Sequence, residues 1–599
     1  MKLISITFEI TLLPENLTFL FQLDELSRFF VLLLGLSTVA ISGFGQAYFR
    51  HFSLKHQRVI HIAYPFFVLG MLMVLSASNT FTFLFAWEIM SLSSYFLVVC
   101  GNTAKVVRQA GFLYLGIAHI GFLCISSAFF LLNHSDFALP LANLVFTLML
   151  IGFGAKAGLF PLHIWLPEAH PAAPSPISAL MSGVMLKTAI YGLIRFSFYW
   201  LLPWQQSWWG FLFIAIGLLS MLIGVLHAAL QSDMKRLLAY SSIENLGFIV
   251  LNLGFAIVFY QYQQYTLSNV ALLIVLLHSL SHSLFKSLLF LCTGSILHAT
   301  GERNIGKLGG LIQKMPWVSA CALTGCLAMA GLPLFSGFIS EWLYLQLFFK
   351  QQTFEHFNFA VLSIVIAATS MLVFALAGFV AVKFFGIAFL GQPRESQLIH
   401  AKPANLLERV SLLWLTIWTI VIGLYPAPFI SMIQKVINSI SDKFTLVWKG
   451  SFTISFPHST LANSNYFAPL LLAFIMILSL LLIFPLIHKH FRRDATWGCG
   501  FDSINSRMQD SAEGFSQPFK QIFSKLIQVK INISNINGDK PHYFVYISEK
   551  IWPFFYKPIT QAIWKIVFIT RWIQQGKISV YLTYVGLTLL VLLILVLWI

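Results

Sequence analysis

Apolar runs of twenty residues or more recur along this chain, separated by short polar stretches. Each run is long enough to cross about 30 Å of hydrocarbon as a helix. In lipid, only helices and closed barrels leave no amide or carbonyl stranded. Spans are expected at 27–48, 58–78, 80–100, 106–132, 139–160, 172–198, 207–228, 233–258, 266–297, 316–350, 357–390, 410–435, 465–488 and 578–599, about fourteen in all. The chain is therefore read as an all-α polytopic membrane protein. Composition agrees, since 10% of residues are charged against roughly 25% in soluble domains. A net charge of +16 could suggest a nucleic-acid partner. The Lys and Arg residues, however, lie in short loops between apolar runs, which is a topology signal.

Those loops alternate. Arg50, Lys55 and Arg58 mark one, followed by Lys105 and Arg108, then Lys235 and Arg236, then Arg303, Lys307 and Lys314. Arg394, Lys402 and Arg409 continue the pattern, and Lys489, Arg492 and Arg493 complete it. Apart from Lys443 and Lys449, the opposite loops are nearly free of Lys and Arg. This asymmetry predicts a multi-pass protein of the cell inner membrane, with residues 1–26 outside and the long 489–577 segment on the cytoplasmic side. Residues 1–21 hold only short apolar pieces interrupted by Glu9 and Glu15, unlike a cleavable signal peptide.

The segment 489–577 is more polar than the rest. Phe515, Phe519, Phe523 and Ile527 recur at four-residue spacing, the stripe of an amphipathic helix. Trp552, Phe555, Ile559, Ile563 and Trp564 lie among basic residues in a second such stretch, 551–573. Helices of this kind lie along a membrane surface; the alternative is a loop packing on its own helices. The expected organisation is an external segment 1–26, a transmembrane core 27–435, a linker with one further span 436–490, an amphipathic lateral segment 491–576 and a terminal anchor 577–599.

A charge at mid-bilayer costs about 2.5–3.5 kcal/mol on insertion scales, so each one calls for an explanation. Glu88 sits within an apolar stretch of the third span, Lys156 just before Gly158 and Pro161, and Lys187 within 178–196. His278, His282 and Lys286 are spaced four apart, so they share a helix face and can pass a proton along it. Glu341 follows Gly331, Pro333 and Gly337, which are expected to break their span. Glu244 and Lys383 are secondary candidates near span ends. For them, as for Lys235, snorkelling to an interface or silent pairing is the competing reading. A buried Lys whose charge depends on a nearby Glu is a switch of the kind a proton pump needs. Lys156-Ala-Gly-Leu-Phe-Pro161 also resembles Ala330-Gly-Leu-Pro-Leu-Phe335, and paired interrupted helices point to a repeat-built transporter.

Other chemistries find no support. Gly301-Glu-Arg-Asn-Ile-Gly306-Lys307 ends in Leu308 where a phosphate-binding loop needs Ser or Thr. His163 and His170 flank Glu168 without zinc-ligand spacing, and Pro167 and Pro171 predict a loop there. The six cysteines contain no CxxC pair. No redox cofactor or metal is expected in this chain.

Trp87-Glu88-Ile-Met-Ser-Leu, Phe160-Pro-Leu-His-Ile-Trp-Leu-Pro-Glu168, Pro174-Ser-Pro-Ile-Ser-Ala-Leu180, Asp233-Met-Lys-Arg-Leu-Leu-Ala-Tyr-Ser-Ser242 and His278-x-x-x-His282-x-x-x-Lys286 resemble the antiporter-like subunits of respiratory complex I. Tyr240-Ser-Ser-Ile-Glu-Asn-Leu-Gly247, Gly337-Phe-Ile-Ser-Glu-Trp342, Val382-Lys-Phe-Phe-Gly-Ile-Ala-Phe-Leu-Gly391, Thr496-Trp-Gly-Cys-Gly500, Arg507-Met-Gln509 and Phe515-Ser-Gln-Pro518 are most similar to the component B type, the large membrane subunit of formate hydrogenlyase and group-four hydrogenases. The resemblance implies two inverted five-helix repeats with broken helices, a central polar axis and a lateral helix on the cytoplasmic side. It implies Glu88 and Lys156 as a modulating acid–base pair, Lys187 with His278, His282 and Lys286 as the central relay, and Glu341 as the distal protonatable group. Family members usually have two more helices before Ser27, and some carry Lys where Glu341 stands. The expected function is proton or cation translocation by a membrane subunit of a hydrogenase or NADH-quinone oxidoreductase type complex. Nickel–iron and iron–sulfur centres or quinone would belong to partner subunits. The alternative is a subunit of a multisubunit Na+/H+ antiporter or of an ion-coupled inorganic-carbon uptake system.

Overall fold

Helices carry nearly all of the backbone, as long apolar runs demand. The computed structural model describes residues 8–10, 18–100, 104–133, 137–351, 357–395, 398, 400–440, 443, 454–455, 466–467, 469–488, 497–501, 504–524, 527–534, 542–549, 552–573, 576 and 578–598. They fall into two compact units, Met1–Ser516 and Gln517–Ile599.

In the first unit a short hairpin, β1 (Phe8–Ile10) with β2 (Phe19–Phe21), precedes α1 (Glu25–Tyr48), α2 (Leu54–Ser76), α3 (Thr80–Val99), α4 (Lys105–Leu132) and α5 (Leu139–Ala157). Then come α6 (Leu166–Ala172), α7 (Ser175–Leu180), α8 (Leu186–Arg195), α9 (Ser207–Leu230), α10 (Met234–Gln261) and α11 (Tyr265–Thr300). The remaining helices are α12 (Leu311–Lys314), α13 (Pro316–Met329), α14 (Ser336–Gln351), α15 (Phe357–Phe389), α16 (Leu406–Leu424), α17 (Ala427–Asn438), α18 (Pro469–His488) and α19 (Ala512–Phe515). Strands β3 (Ile454–Ser455) and β4 (Tyr466–Phe467) pair between α17 and α18. Eleven helical segments among the described residues are long and apolar enough to span a bilayer, and 316–329, 469–484 and 580–592 are shorter apolar helices. Each span expected from the sequence falls on one of these segments. The protein is a multi-pass, all-α integral membrane protein.

The segment 175–200 (α7, α8 and the π-type turns that follow each), α10 and α11 are enclosed by protein over their whole apolar length, whereas α4 turns much of its surface outward. Charges in the sequence therefore concentrate on helices that lipid does not reach. The start of α1 is tied to the end of α8 by a bidentate ion pair: Arg195 Nη1 donates to Asp24 Oδ2 at 2.5 Å and Nη2 to Oδ1 at 2.8 Å.

Two breaks interrupt the helices, one at the end of the expected span 139–160 and one within the expected span 316–350. After α5, Gly158 adopts a left-handed conformation (φ 71°), and a 3-10 turn, Leu162–Trp165, leads into α6. The expected loop around Pro167 and Pro171 is thus largely helical. Pro167 lies in the first turn of α6, where a missing N–H costs nothing. Between α13 and α14, Gly331 (φ 62°) and Leu334 (φ 77°) are both left-handed, and a Cβ at Gly331 would collide with the Glu341 carboxylate.

The stripe Phe515–Phe519–Phe523–Ile527 is not one helix. The chain forms α19, then in the second unit α20 (Gln517–Ile522), and Ile527 opens a strand. Pro518 cannot donate to a preceding turn, so the ladder of α19 stops. Alternation of Ile527, Val529, Ile531 and Ile533 marks β5 (Ile527–Ser534), which pairs with β6 (His542–Glu549); the sequence reading missed this period-two signal. The second amphipathic stretch is helical over α21 (Lys557–Ile573), followed by α22 (Ile578–Trp598). Upstream, Gln509 makes two hydrogen bonds to the backbone of Gln392, and Ser516 Oγ donates to the Ala229 carbonyl at 2.8 Å, so the Arg507–Gln509 and Phe515–Ser516 motifs clasp the first unit.

The tightest helix pair is α9 against α10. Gly210, Gly217 and Gly224 recur every seven residues and face α10 directly. A Cβ would stand 2.5 Å from the Leu251 nitrogen at Gly217 and 2.5 Å from the Glu244 nitrogen at Gly224. Small residues permit this backbone contact without a hydrophobic driving force. Gly217→Val and Gly224→Val are each expected to cost on the order of 1–3 kcal/mol. Gly116→Val, with nothing within 4 Å of its Cβ, should be near neutral; thermal unfolding in detergent compares the three.

Candidate proton-transfer axis

Helix α11 runs for 36 residues without a proline and is enclosed by protein on all sides, so the four-residue spacing of His278, His282 and Lys286 becomes one continuous buried face. Neighbouring helices meet that face with polar atoms. Lys187 of α8 contacts His282 Nδ1 and donates to the Ser182 carbonyl at 2.6 Å. Lys286 bonds Ser241 Oγ of α10, with the Leu238 carbonyl at 3.5 Å. His278 Nδ1 lies 2.8 Å from Ser340 Oγ of α14, and its Nε2 lies 3.0 Å from Asn245 Oδ1 of α10. The rings of His278 and His282 are 6.3 Å apart. His282 Nε2 is buried with no hydrogen-bonding partner among the described residues.

Glu244 stands beside this face. Its Oε2 accepts from Asn245 Nδ2 at 2.7 Å, and it is 4% exposed, so it does not snorkel. Glu341 folds back over Gly331 in the α13–α14 break.

The first half of the core is arranged differently from the sequence expectation. Lys156, 2% exposed, donates to Ser91 Oγ at 3.0 Å and to Tyr114 OH at 2.9 Å, with the Trp87 and Tyr114 rings beside it. It feels the charge of Glu88 but makes no ion pair with it. Glu88 instead faces His119 of α4, Nε2 to Oε2 at 3.6 Å, and its Oε1 has no partner among the described residues. Two hydroxyls thus hold the lysine, and the carboxylate acts on it through space.

Lys383 has a structural reason to be buried. Its Nζ donates to the Ala229 and Gln231 carbonyls at 2.9 and 2.7 Å, satisfying the C-terminal end of α9. Lys235 does the same for the Ala173 carbonyl at 2.6 Å. Asp233 caps α10, and Arg236 pairs with Glu168. Among the described residues no group of three His, Cys, Asp or Glu side chains is placed to share a metal ion.

Sequence reasoning passed over Tyr114, Ser91, His119, Asn245 and Ser340. Asn245 and Ser241 were detectable as polar positions one turn apart in an apolar span, but Tyr114 does not stand out among 18 tyrosines.

Buried lysines, histidines and carboxylates strung between two broken helices define an antiporter-type membrane subunit. A family described as NADH:quinone oxidoreductase/Mrp antiporter, transmembrane, matches residues 77–367. Hydrogenase-4 component B of Escherichia coli is 35% identical over 96% of this chain and 88% of its own length. Formate hydrogenlyase subunit 3 of the same organism is 33% identical, covering 85% of this chain and 82% of its own. The fold matches a chain of the membrane-bound sulfane sulfur reductase, an archaeal respiratory membrane complex, with a TM-score of 0.76 over 98% of this chain and 91% of that one, at 22% identity. This chain belongs to the family of hydrogenase-4 component B and formate hydrogenlyase subunit 3, within the complex I and Mrp antiporter group.

Removing the Tyr114 hydroxyl leaves a buried lysine one acceptor short. Tyr114→Phe should cost about 1–3 kcal/mol in thermal unfolding, and much less when Lys156→Met is already present.

Proposed function

We propose that this chain is the ion-translocating subunit of a membrane-bound oxidoreductase complex of the hydrogenase or NADH-quinone oxidoreductase type, seated in the cytoplasmic membrane with the 489–577 segment on its cytoplasmic side. The observation that carries the reading is the buried polar face of α11, met by Lys187, Asn245 and Ser340 from three other helices. A scaffold would gain nothing to offset the insertion cost of these groups. Protons are the ions these residues suit best, because each group along the face can hold or release one.

The residues in this role are Glu88, Lys156, Lys187, His278, His282, Lys286 and Glu341, with Glu244 beside them. Redox chemistry in partner subunits, which would carry any nickel–iron, iron–sulfur or quinone chemistry, changes the field at Glu88. Lys156 responds because hydroxyls rather than a carboxylate hold it, so its charge is free to follow Glu88. The shift passes to Lys187 and on to His282. A second reading, a subunit of a multisubunit Na+/H+ antiporter, is favoured by the Mrp antiporter branch of the matching family.

Lys156→Ala should abolish proton translocation by the reconstituted complex while leaving its assembly intact. Normal pumping by that variant would remove Lys156 from the path. Gentle extraction followed by mass spectrometry separates the two readings: co-purifying redox subunits are expected, and recovery of small membrane subunits alone would favour the antiporter.

A further inference from the structure

We propose that Asn245 is a positioning residue that fixes the tautomer of His278 and makes it a one-sided relay, exchanging protons through Nδ1 and Ser340 of α14 and never through Nε2. This rests on the reading of the α11 face as a proton path.

The argument begins with the asparagine amide. Asn245 Nδ2 lies 2.7 Å from the Ser241 carbonyl and 2.7 Å from Glu244 Oε2. A backbone carbonyl only accepts, so the atom facing Ser241 must be the NH2 group. The opposite orientation would press two acceptors together in a buried site. The amide oxygen is therefore the atom 3.0 Å from His278 Nε2, and that nitrogen must carry a proton. Asn245 is 3% exposed and His278 2%, so water does not readily substitute for either bond.

With Nε2 protonated, Nδ1 is the only position of the ring that can gain or lose a proton. Its partner is Ser340 Oγ at 2.8 Å, and Ser340 also lies 2.9 Å from the Gly337 carbonyl in the first turn of α14. One hydroxyl proton cannot serve both acceptors. When His278 is neutral, Ser340 donates to Nδ1. On protonation that hydroxyl proton passes to Nδ1, forming the N–H bond, while Oγ takes a proton from a water or a protonated carboxyl group on the α14 side, whose O–H bond breaks. The hydroxyl then turns to Gly337, and Nδ1–H donates to Oγ. Release reverses each step. The switch thus sits where the broken helix begins.

The same geometry isolates Glu244. Its carboxylate and the imidazole are joined by an amide, which passes no proton under these conditions. Glu244 therefore has no direct hydrogen bond through which to exchange a proton with His278. Glu341, next to Ser340 in sequence, is the carboxyl group on the α14 side.

The test uses the intact complex in lipid nanodiscs, labelled with ring-15N histidine, with the His278 signal identified by its loss in His278→Gln. Wild type should show neutral His278 protonated at Nε2 with an unprotonated Nδ1. Asn245→Leu should mix the tautomers. Ser340→Ala should keep the Nε2 proton yet slow proton translocation in liposomes about tenfold, the rate equivalent of losing one hydrogen bond of roughly 1.4 kcal/mol; Ser340→Thr should restore it. A neutral wild-type His278 carrying its proton on Nδ1 would overturn the proposal, whether or not the variants fold. So would full translocation by Ser340→Ala. A wild-type complex that pumps no protons but shows the Nε2 proton would instead count against the proposed function and leave the tautomer assignment standing.

Discussion

Polar groups taken out of water in this protein depend on partners inside the protein, because hydrocarbon supplies none. That constraint explains why Lys187, Glu244, His278, His282 and Lys286 lie on the helices that other helices enclose, and why the outward-facing α4 is largely apolar. It also explains the bonds to helix ends. Lys383 and Lys235 donate to carbonyls at the C-terminal ends of α9 and α6. Asp24 and Arg195 satisfy each other where α1 begins.

The same constraint shapes the candidate path. A lysine salt-bridged to a carboxylate would be locked in one charge state. Lys156 is instead held by two hydroxyls, and Glu88 is displaced to the neighbourhood of His119. On the proposed path, attraction without contact would keep the lysine responsive. Around α11 the partners are again mostly neutral: Ser241, Asn245, Ser340 and backbone carbonyls. Neutral partners with fixed donor and acceptor roles orient a protonatable group without pinning its charge.

Backbone geometry sets these partners in place. The glycines of α9 bring it against the backbone of α10, and so position Glu244 and Asn245 at the α11 face. The break at Gly331 lets Glu341 fold over it and starts α14 afresh at Ser336, which places Ser340 opposite His278. The break at Gly158 is its counterpart after Lys156. Each break contains a glycine in the left-handed conformation, which glycine adopts without steric cost.

Length and hydropathy determined the spans, since crossing a bilayer is a matter of apolar run length, and the spacing of His278, His282 and Lys286 determined a shared face because helical periodicity is local. The glycine–proline clusters marked both breaks. What the sequence did not reveal is contact across helices. That Lys156 meets Tyr114, that Glu88 meets His119, that Lys383 closes the end of α9 and that Asn245 bridges Glu244 to His278 are all decided by packing between segments far apart in the chain. Hydrogen-bond partners reached through tertiary structure leave no periodic trace, so composition and spacing cannot single them out. The β5–β6 hairpin is the exception: its alternation was present in the sequence and was overridden by the stronger four-residue pattern just before it.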